Sequence, residues 1–174
     1  MRMAHFRRAA TGLVTVLAAT VALFVPIAPA SADVSTISPK SVTYYQFVNL
    51  NSLLCLDVGG QTNGSVVQQY TCNGTVNQQW ALYGTDSGYF QLVVASSGRC
   101  MEVAGASQDT NHRIQVADCT GAYNQQWARQ PSGRDGWPRI VARHSGKCMQ
   151  PLAGQLPMVQ FPCNTSFAQQ WNIS

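Results

Sequence analysis

The sequence predicts an all-β domain assembled from three repeats, and three observations carry that reading. Charged side chains make up only 10% of the 174 residues, against 45% hydrophobic, with 14 glycines. Gln, Asn, Ser and Thr fill most of the polar positions, a mixture that suits a turn-rich β domain and not helices with Glu and Lys on their wet faces. The tripeptide Gln-Gln-Trp recurs at 78–80, 125–127 and 169–171, so Trp80, Trp127 and Trp171 are spaced by 47 and 44 residues. A period of this size is the mark of a repeat architecture. Six cysteines keep the same rhythm: Cys55, Cys100 and Cys148 open the repeats, and Cys72, Cys119 and Cys163 each fall 8 residues before a Trp.

The chain begins with a different kind of segment. Arg2, Arg7 and Arg8 precede an uncharged apolar stretch at 9–25, and Ala28-Pro29-Ala30-Ser31-Ala32 follows. A basic start, an apolar run and a small-residue ending predict a secretory signal over 1–32, cleaved after Ala32. The run is short for a membrane span of ~20 residues. Without the signal, 8 basic and 7 acidic side chains remain and the net charge is +1. No basic cluster is left to attract nucleic acid. Residues 33–43 read as an extended, weakly ordered leader.

The repeats follow, at about 44–85, 86–133 and 134–174. Tyr44, Tyr89 and Trp137 lie 11 positions before the first cysteine of each repeat, Phe47, Leu92 and Ile140 8 positions before, and Val48, Val93 and Val141 7 positions before. Ser97-Gly98-Arg99 and Ser145-Gly146-Lys147 read as turns, because Gly permits φ > 0 between two short strands. Each repeat therefore reads strand, turn, strand at the cysteine, loop, strand toward the second cysteine, then a strand around Gln-x-Trp. The apolar runs are short, and none after residue 33 keeps a 3.6-residue period long enough for a helix. One repeat of this size cannot bury a sizeable core, whereas three can close on one another.

Six cysteines allow 15 connectivities. Repeat equivalence favours Cys55–Cys72, Cys100–Cys119 and Cys148–Cys163, and an exported chain meets the oxidising conditions in which such bonds persist. Each loop is worth ~3 kcal/mol in the chain-entropy model. A zinc site is disfavoured, since no Cys-x-x-Cys occurs and His112 and His144 do not fall at ligand spacing. No metal or cofactor is expected.

Three Gln-x-Trp motifs, paired cysteines and a Cys55-Leu56-Asp57-Val58 opening resemble the ricin B-type lectin family, also classed as family 13 carbohydrate-binding modules. The resemblance covers about 44–174. It implies a β-trefoil of twelve strands, a six-stranded barrel capped by three hairpins, in which the Gln-x-Trp residues mainly build the core. It also implies shallow sugar pockets. A carboxylate accepts charge-assisted hydrogen bonds from adjacent hydroxyls. A flat ring covers the apolar C–H face of the sugar, and amides both donate and accept.

The first repeat matches every such position: Asp57, Gln68, Tyr70, Asn77 and Gln78, with Asp57 and Tyr70 expected at the surface. The second repeat offers a partial site in Glu102, Gln115, Asn124 and Gln125, but Ala117 stands at the ring position. Tyr123 and His112 are candidates to supply a ring, but the motif places neither there. The third carries Gln150 for the acid, Val159 for Gln and Ala168 for Asn. Phe161 and Gln169 remain, and a scaffold role is expected.

The reading is a secreted, non-catalytic carbohydrate-binding protein for galactosyl-, xylosyl- or arabinosyl-containing glycans, acting through the first repeat. The alternative is a small trefoil that works through protein contacts, as an inhibitor or toxin-delivery partner. A glycoside hydrolase fits less well. It needs two carboxylates ~5–9.5 Å apart, whereas Asp57 and Glu102 occupy equivalent places in different repeats. Gly-x-Ser-x-Gly and His-Glu-x-x-His are absent. Sequons stand at Asn63, Asn73, Asn164 and Asn172.

Overall fold

The computed structural model describes residues 41–152 and 157–174. The signal at 1–32 and the leader up to residue 40 lie outside the described residues. Repeat one contributes β1 (Tyr44–Tyr45), β2 (Phe47–Asn49), β3 (Cys55–Val58), β4 (Val67–Tyr70) and β5 (Trp80–Gly84). Repeat two contributes β6 (Phe90–Val94), β7 (Cys100–Val103), β8 (Ile114–Ala117) and β9 (Trp127–Gln130). Repeat three contributes β10 (Arg139–Ala142), β11 (Cys148–Pro151), β12 (Met158–Phe161) and β13 (Trp171–Ile173).

The pairing closes on itself. β1 pairs β5, β5 pairs β6, β6 meets β9 at Phe90–Trp127, and β9 pairs β10. A bridge from Arg139 to Gln170 carries the ring to β13, which pairs β2. β1 and β2 act as one bent strand. At the bend, Gln46 exchanges backbone hydrogen bonds with Ser174, so the strand changes partner from β5 to β13. That break makes thirteen named strands out of the expected twelve.

Three hairpins cap one end: β3–β4, β7–β8 and β11–β12. Bridges Val66–Gln115, Arg113–Val159 and Gln68–Pro157 join them in a triangle. This is a β-trefoil. Among the described residues the only helical pieces are 3-10 turns of 3 residues.

The repeat positions explain the core. Phe47, Leu92 and Ile140 are fully buried, as are Trp80, Trp127 and Trp171. Val48, Val93 and Val141 sit directly across from Cys55, Cys100 and Cys148. Each indole N–H donates to the carbonyl of the residue after the first cysteine: Trp80 to Leu56 at 3.1 Å, Trp127 to Met101 at 3.0 Å, Trp171 to Met149 at 3.3 Å. A buried indole needs such a partner, because an unpaired donor there costs about 1–3 kcal/mol. The disulfides join Cys55–Cys72, Cys100–Cys119 and Cys148–Cys163, the pairing that repeat equivalence favours.

One expectation needs correction. The last strand of each repeat begins at the Trp, not around the motif, because Val76–Gln78, Tyr123–Gln125 and Phe167–Gln169 are 3-10 turns. The turn drives the first Gln inward, where its side chain oxygen accepts backbone N–H groups of the preceding loop.

The repeats are not stapled identically. At the seam between repeats two and three, Arg143 lies over the rings of Tyr89 and Tyr123 at 4.5 and 4.1 Å. Its guanidinium also donates to both carboxylate oxygens of Asp86 and to Gln126. Leu50 and Ala95 occupy the equivalent positions at the other seams. The hydrogen bond from Arg143 and its charge hold the Asp86 carboxyl below its ordinary value of 3.8. Because the folded-state value is the lower one, the pair stabilises the fold above about pH 4, and that stabilisation is lost as pH falls through the lowered value. Thermal melts of wild type and Asp86→Asn should therefore differ at pH 6 and converge toward pH 2. A constant difference across that range would remove this seam from the account.

Candidate functional site

In the first repeat, Asp57 on β3 and Gln68 on β4 are cross-strand partners. In an antiparallel pair, directly opposed residues share one face of the sheet, and here Gln68 Nε2 donates to Asp57 Oδ1 at 3.0 Å. Tyr70 lies two residues further along β4, on the same face by the strand's two-residue period, and is 49% exposed. Asn77 comes in from the 3-10 turn. Asp57, Gln68, Tyr70 and Asn77 line one open cavity of about 350 Å³.

Two details differ from the expectation drawn from sequence. Asp57 is only 5% exposed, so it forms the floor of the cavity and not its rim. Its cross-strand neighbour Gln68 lies over one of its oxygens. Among the described residues, Gln68 is its one side-chain hydrogen-bond partner, and Oδ2 has none. Gln78 does not reach the cavity. It is fully buried, its oxygen accepts the backbone N–H groups of Asn73 and Gly74, and its Nε2 donates to the Thr71 carbonyl. The Asn-Gln pair thus splits its work: Asn77 faces the cavity and Gln78 holds the loop beneath it.

That loop supplies two lining residues the motif did not indicate, Asn73 and Thr75. Asn73 Oδ1 accepts both the backbone N–H and the hydroxyl of Thr75, which leaves its amide N–H groups for solvent or ligand. The Asn-Gly-Thr order that makes this turn was visible in the sequence. It signals a turn in many loops, and only the fold places this one over Asp57.

The second repeat brings its four residues together and bonds them to one another. Glu102 Oε1 accepts from Gln115 Nε2 at 2.8 Å, and Oε2 accepts from Gln125 Nε2 at 3.0 Å and Asn124 Nδ2 at 3.3 Å. Asn124 also donates to the Val103 carbonyl. The extra methylene of Glu carries the carboxylate into reach of amides that Asp57 does not touch. Ala117 offers no ring at the stacking position, and Tyr123 is engaged elsewhere, over Arg143.

In the third repeat, Gln150 Oε1 accepts from Gln169 Nε2 at 2.8 Å and Val159 is buried. No carboxylate is present there.

The division between scaffold and cavity can be checked by melting. Gln125→Ala removes a buried side chain that accepts from the N–H groups of Thr120 and Gly121 and donates to Glu102 and the Asp118 carbonyl, and should cost about 1–3 kcal/mol. Asn77→Ala removes a side chain that makes no hydrogen bond among the described residues, and should change stability by less than about 0.5 kcal/mol. Equal losses would mean that Asn77 is scaffold too.

Comparison with known proteins fits this geometry. The family model "Ricin-type beta-trefoil lectin domain" matches residues 43–171. A designed threefold-symmetric protein, ThreeFoil, is 33% identical, with a TM-score of 0.71 over 75% of this chain and 96% of its own. An exo-β-1,3-galactanase, 1,3Gal43A from Clostridium thermocellum, is 31% identical with a TM-score of 0.71, over 77% of this chain but only 30% of that enzyme. A ricin B-like lectin from Macrolepiota procera, solved with lactose, shares the fold at 19% identity and a TM-score of 0.66, over 79% of this chain and 98% of its own. No curated protein sequence matches. With the repeat register, the trefoil and a family match across nearly all the described residues, the chain belongs to the ricin-type β-trefoil lectin domain family.

Proposed function

We propose that the protein is a secreted, non-catalytic carbohydrate-binding module that holds one sugar residue of a galactosyl-, xylosyl- or arabinosyl-containing glycan in the first repeat. The observation that carries this reading is the Asp57 carboxylate at the cavity floor, with one oxygen committed to Gln68 and the other open to a ligand. Adjacent hydroxyls would donate to it, and bonds to a charged acceptor are worth ~1.5–3 kcal/mol each. The exposed Tyr70 ring offers an apolar face for the sugar's C–H groups. Asn77 supplies a donor and an acceptor at the side.

Galactosyl glycans are the first class to test, because the 31%-identical relative is an exo-β-1,3-galactanase of which this chain matches a part. Catalysis by that enzyme belongs to the whole protein. Here the two carboxylates share no hydrogen-bond partner: Asp57 is bonded to Gln68, and Glu102 to Gln115, Asn124 and Gln125. Three disulfides fit an oxidising compartment, and among the described residues no helix is long and apolar enough to cross a membrane.

A glycan array and pull-downs on insoluble polysaccharides test this reading. A single shallow pocket should bind a free monosaccharide with Kd of ~10⁻³ to 10⁻⁴ M. Asp57→Asn keeps the shape and should weaken binding at least about tenfold, which is ~1.4 kcal/mol, with an unchanged circular dichroism spectrum. Tyr70→Ala should cost a similar amount, and Gln150→Ala, the matched position in repeat three, should change little. Normal binding by Asp57→Asn together with loss in Glu102→Gln would move the site to the second repeat. Hydrolysis of any bound glycan would overturn the non-catalytic reading.

A further inference from the structure

We propose that Leu53 is a specificity-determining residue that extends the first-repeat site past Tyr70 to a second sugar residue, so that the protein prefers oligosaccharides to the matching monosaccharide. The proposal rests on the sugar-binding reading of that cavity. Leu53 stands two positions before Cys55, where the other repeats carry Gly98 and Gly146. Both glycines have φ of 67°, and Leu53 has φ of 57°. The turn requires the left-handed region, which glycine enters freely and a branched side chain enters only with strain. Four non-glycine residues have positive φ among those described, Leu53, Ser87, Ala106 and Asn111, and Leu53 is the bulkiest.

Burial does not account for the leucine. It is 67% exposed, more than any other large hydrophobic among the described residues. A strained residue without packing behind it points to a use at the surface. Its place in the hairpin suggests which use. Cys55 is the cross-strand partner of Tyr70, so Leu53 lies two residues beyond that pair on one side and Cys72 two residues beyond it on the other. The Cys72 sulfur is 3.7 Å from the Leu53 carbonyl oxygen. β3 begins at Cys55 and Leu53 stands in the turn just before it, so its carbonyl against the Cys72 sulfur sets it beside the disulfide whose Cys55 lies opposite the half-exposed Tyr70.

This is an apolar continuation of the ring that covers the first sugar, suited to the C–H face of the next residue along a glycan. Neither other repeat has it: Ala117 and Gly98 stand at the two positions in repeat two, and Gly146 ends the strip beyond Phe161 in repeat three.

The test is Leu53→Gly, with Leu53→Met as the variant that keeps an apolar side chain. Binding is measured by calorimetry with galactose and β-1,3-galactobiose, xylose and xylotriose, and arabinose and arabinotriose. Relief of strain should raise the thermal midpoint of Leu53→Gly by roughly 2–4 °C. Affinity for the monosaccharide should be unchanged, and affinity for the preferred oligosaccharide should fall at least about threefold from lost apolar contact. Leu53→Met should retain oligosaccharide affinity. A glycine variant that binds the oligosaccharide as wild type does, or that melts lower, overturns this proposal alone. A wild-type protein that binds none of the six sugars overturns the sugar-binding reading and this proposal with it.

Discussion

Three indole N–H groups, each bonded to the carbonyl after a first cysteine, hold the molecule to its plan. A Trp is too large to be moved within a close-packed interior, and its N–H must find a partner when buried. The partner lies in the hairpin, and the Trp starts a barrel strand. One bond per repeat therefore locks cap to barrel. The Gln two residues before each Trp completes the lock, because its amide satisfies the backbone of the loop that follows the second cysteine. Fold and site thus share a motif but divide its residues, with the buried Gln and Trp on the scaffold side.

That division lets the three repeats keep one fold while their surfaces diverge. The carboxylate position shows how small the difference is. Asp57 accepts from Gln68 alone and keeps an oxygen open, whereas Glu102, longer by one methylene, already accepts from Gln115, Asn124 and Gln125. A carboxylate that already accepts three amide donors gains little from a sugar hydroxyl, because binding exchanges one set of hydrogen bonds for another. Gln150 in the third repeat carries no charge and is bonded to Gln169. Symmetry of the backbone therefore does not imply symmetry of binding.

Much of this was legible in the sequence, because the repeat register converts spacing into structure. Phe47, Leu92 and Ile140 share an offset and are all buried, and Val48, Val93 and Val141 share another and all face a cysteine. The disulfides follow from the same equivalence. What spacing does not report is direction and reach. Gln78 and Asn77 are neighbours in sequence, yet a 3-10 turn sends one inward and the other to the cavity. Asp57 reads as a surface acid, but the fold leaves it only 5% exposed at the bottom of the cavity. Asn73 and Thr75 reach the cavity through the fold of a loop, and the reach of Glu102 to Asn124 and Gln125 depends on one C–C bond of length.

The claim at the centre of this account is that one carboxylate of two equivalent ones is open to a ligand. A crystal structure of the protein with its preferred glycan tests it most directly. The account predicts one sugar residue per chain at the first repeat, with two hydroxyl oxygens within hydrogen-bonding distance of the Asp57 carboxylate and the ring of Tyr70 across its C–H face. The Glu102 carboxylate should still be bonded to Gln115, Asn124 and Gln125. A sugar seated on Glu102, or equal occupancy at two or three repeats, would contradict it.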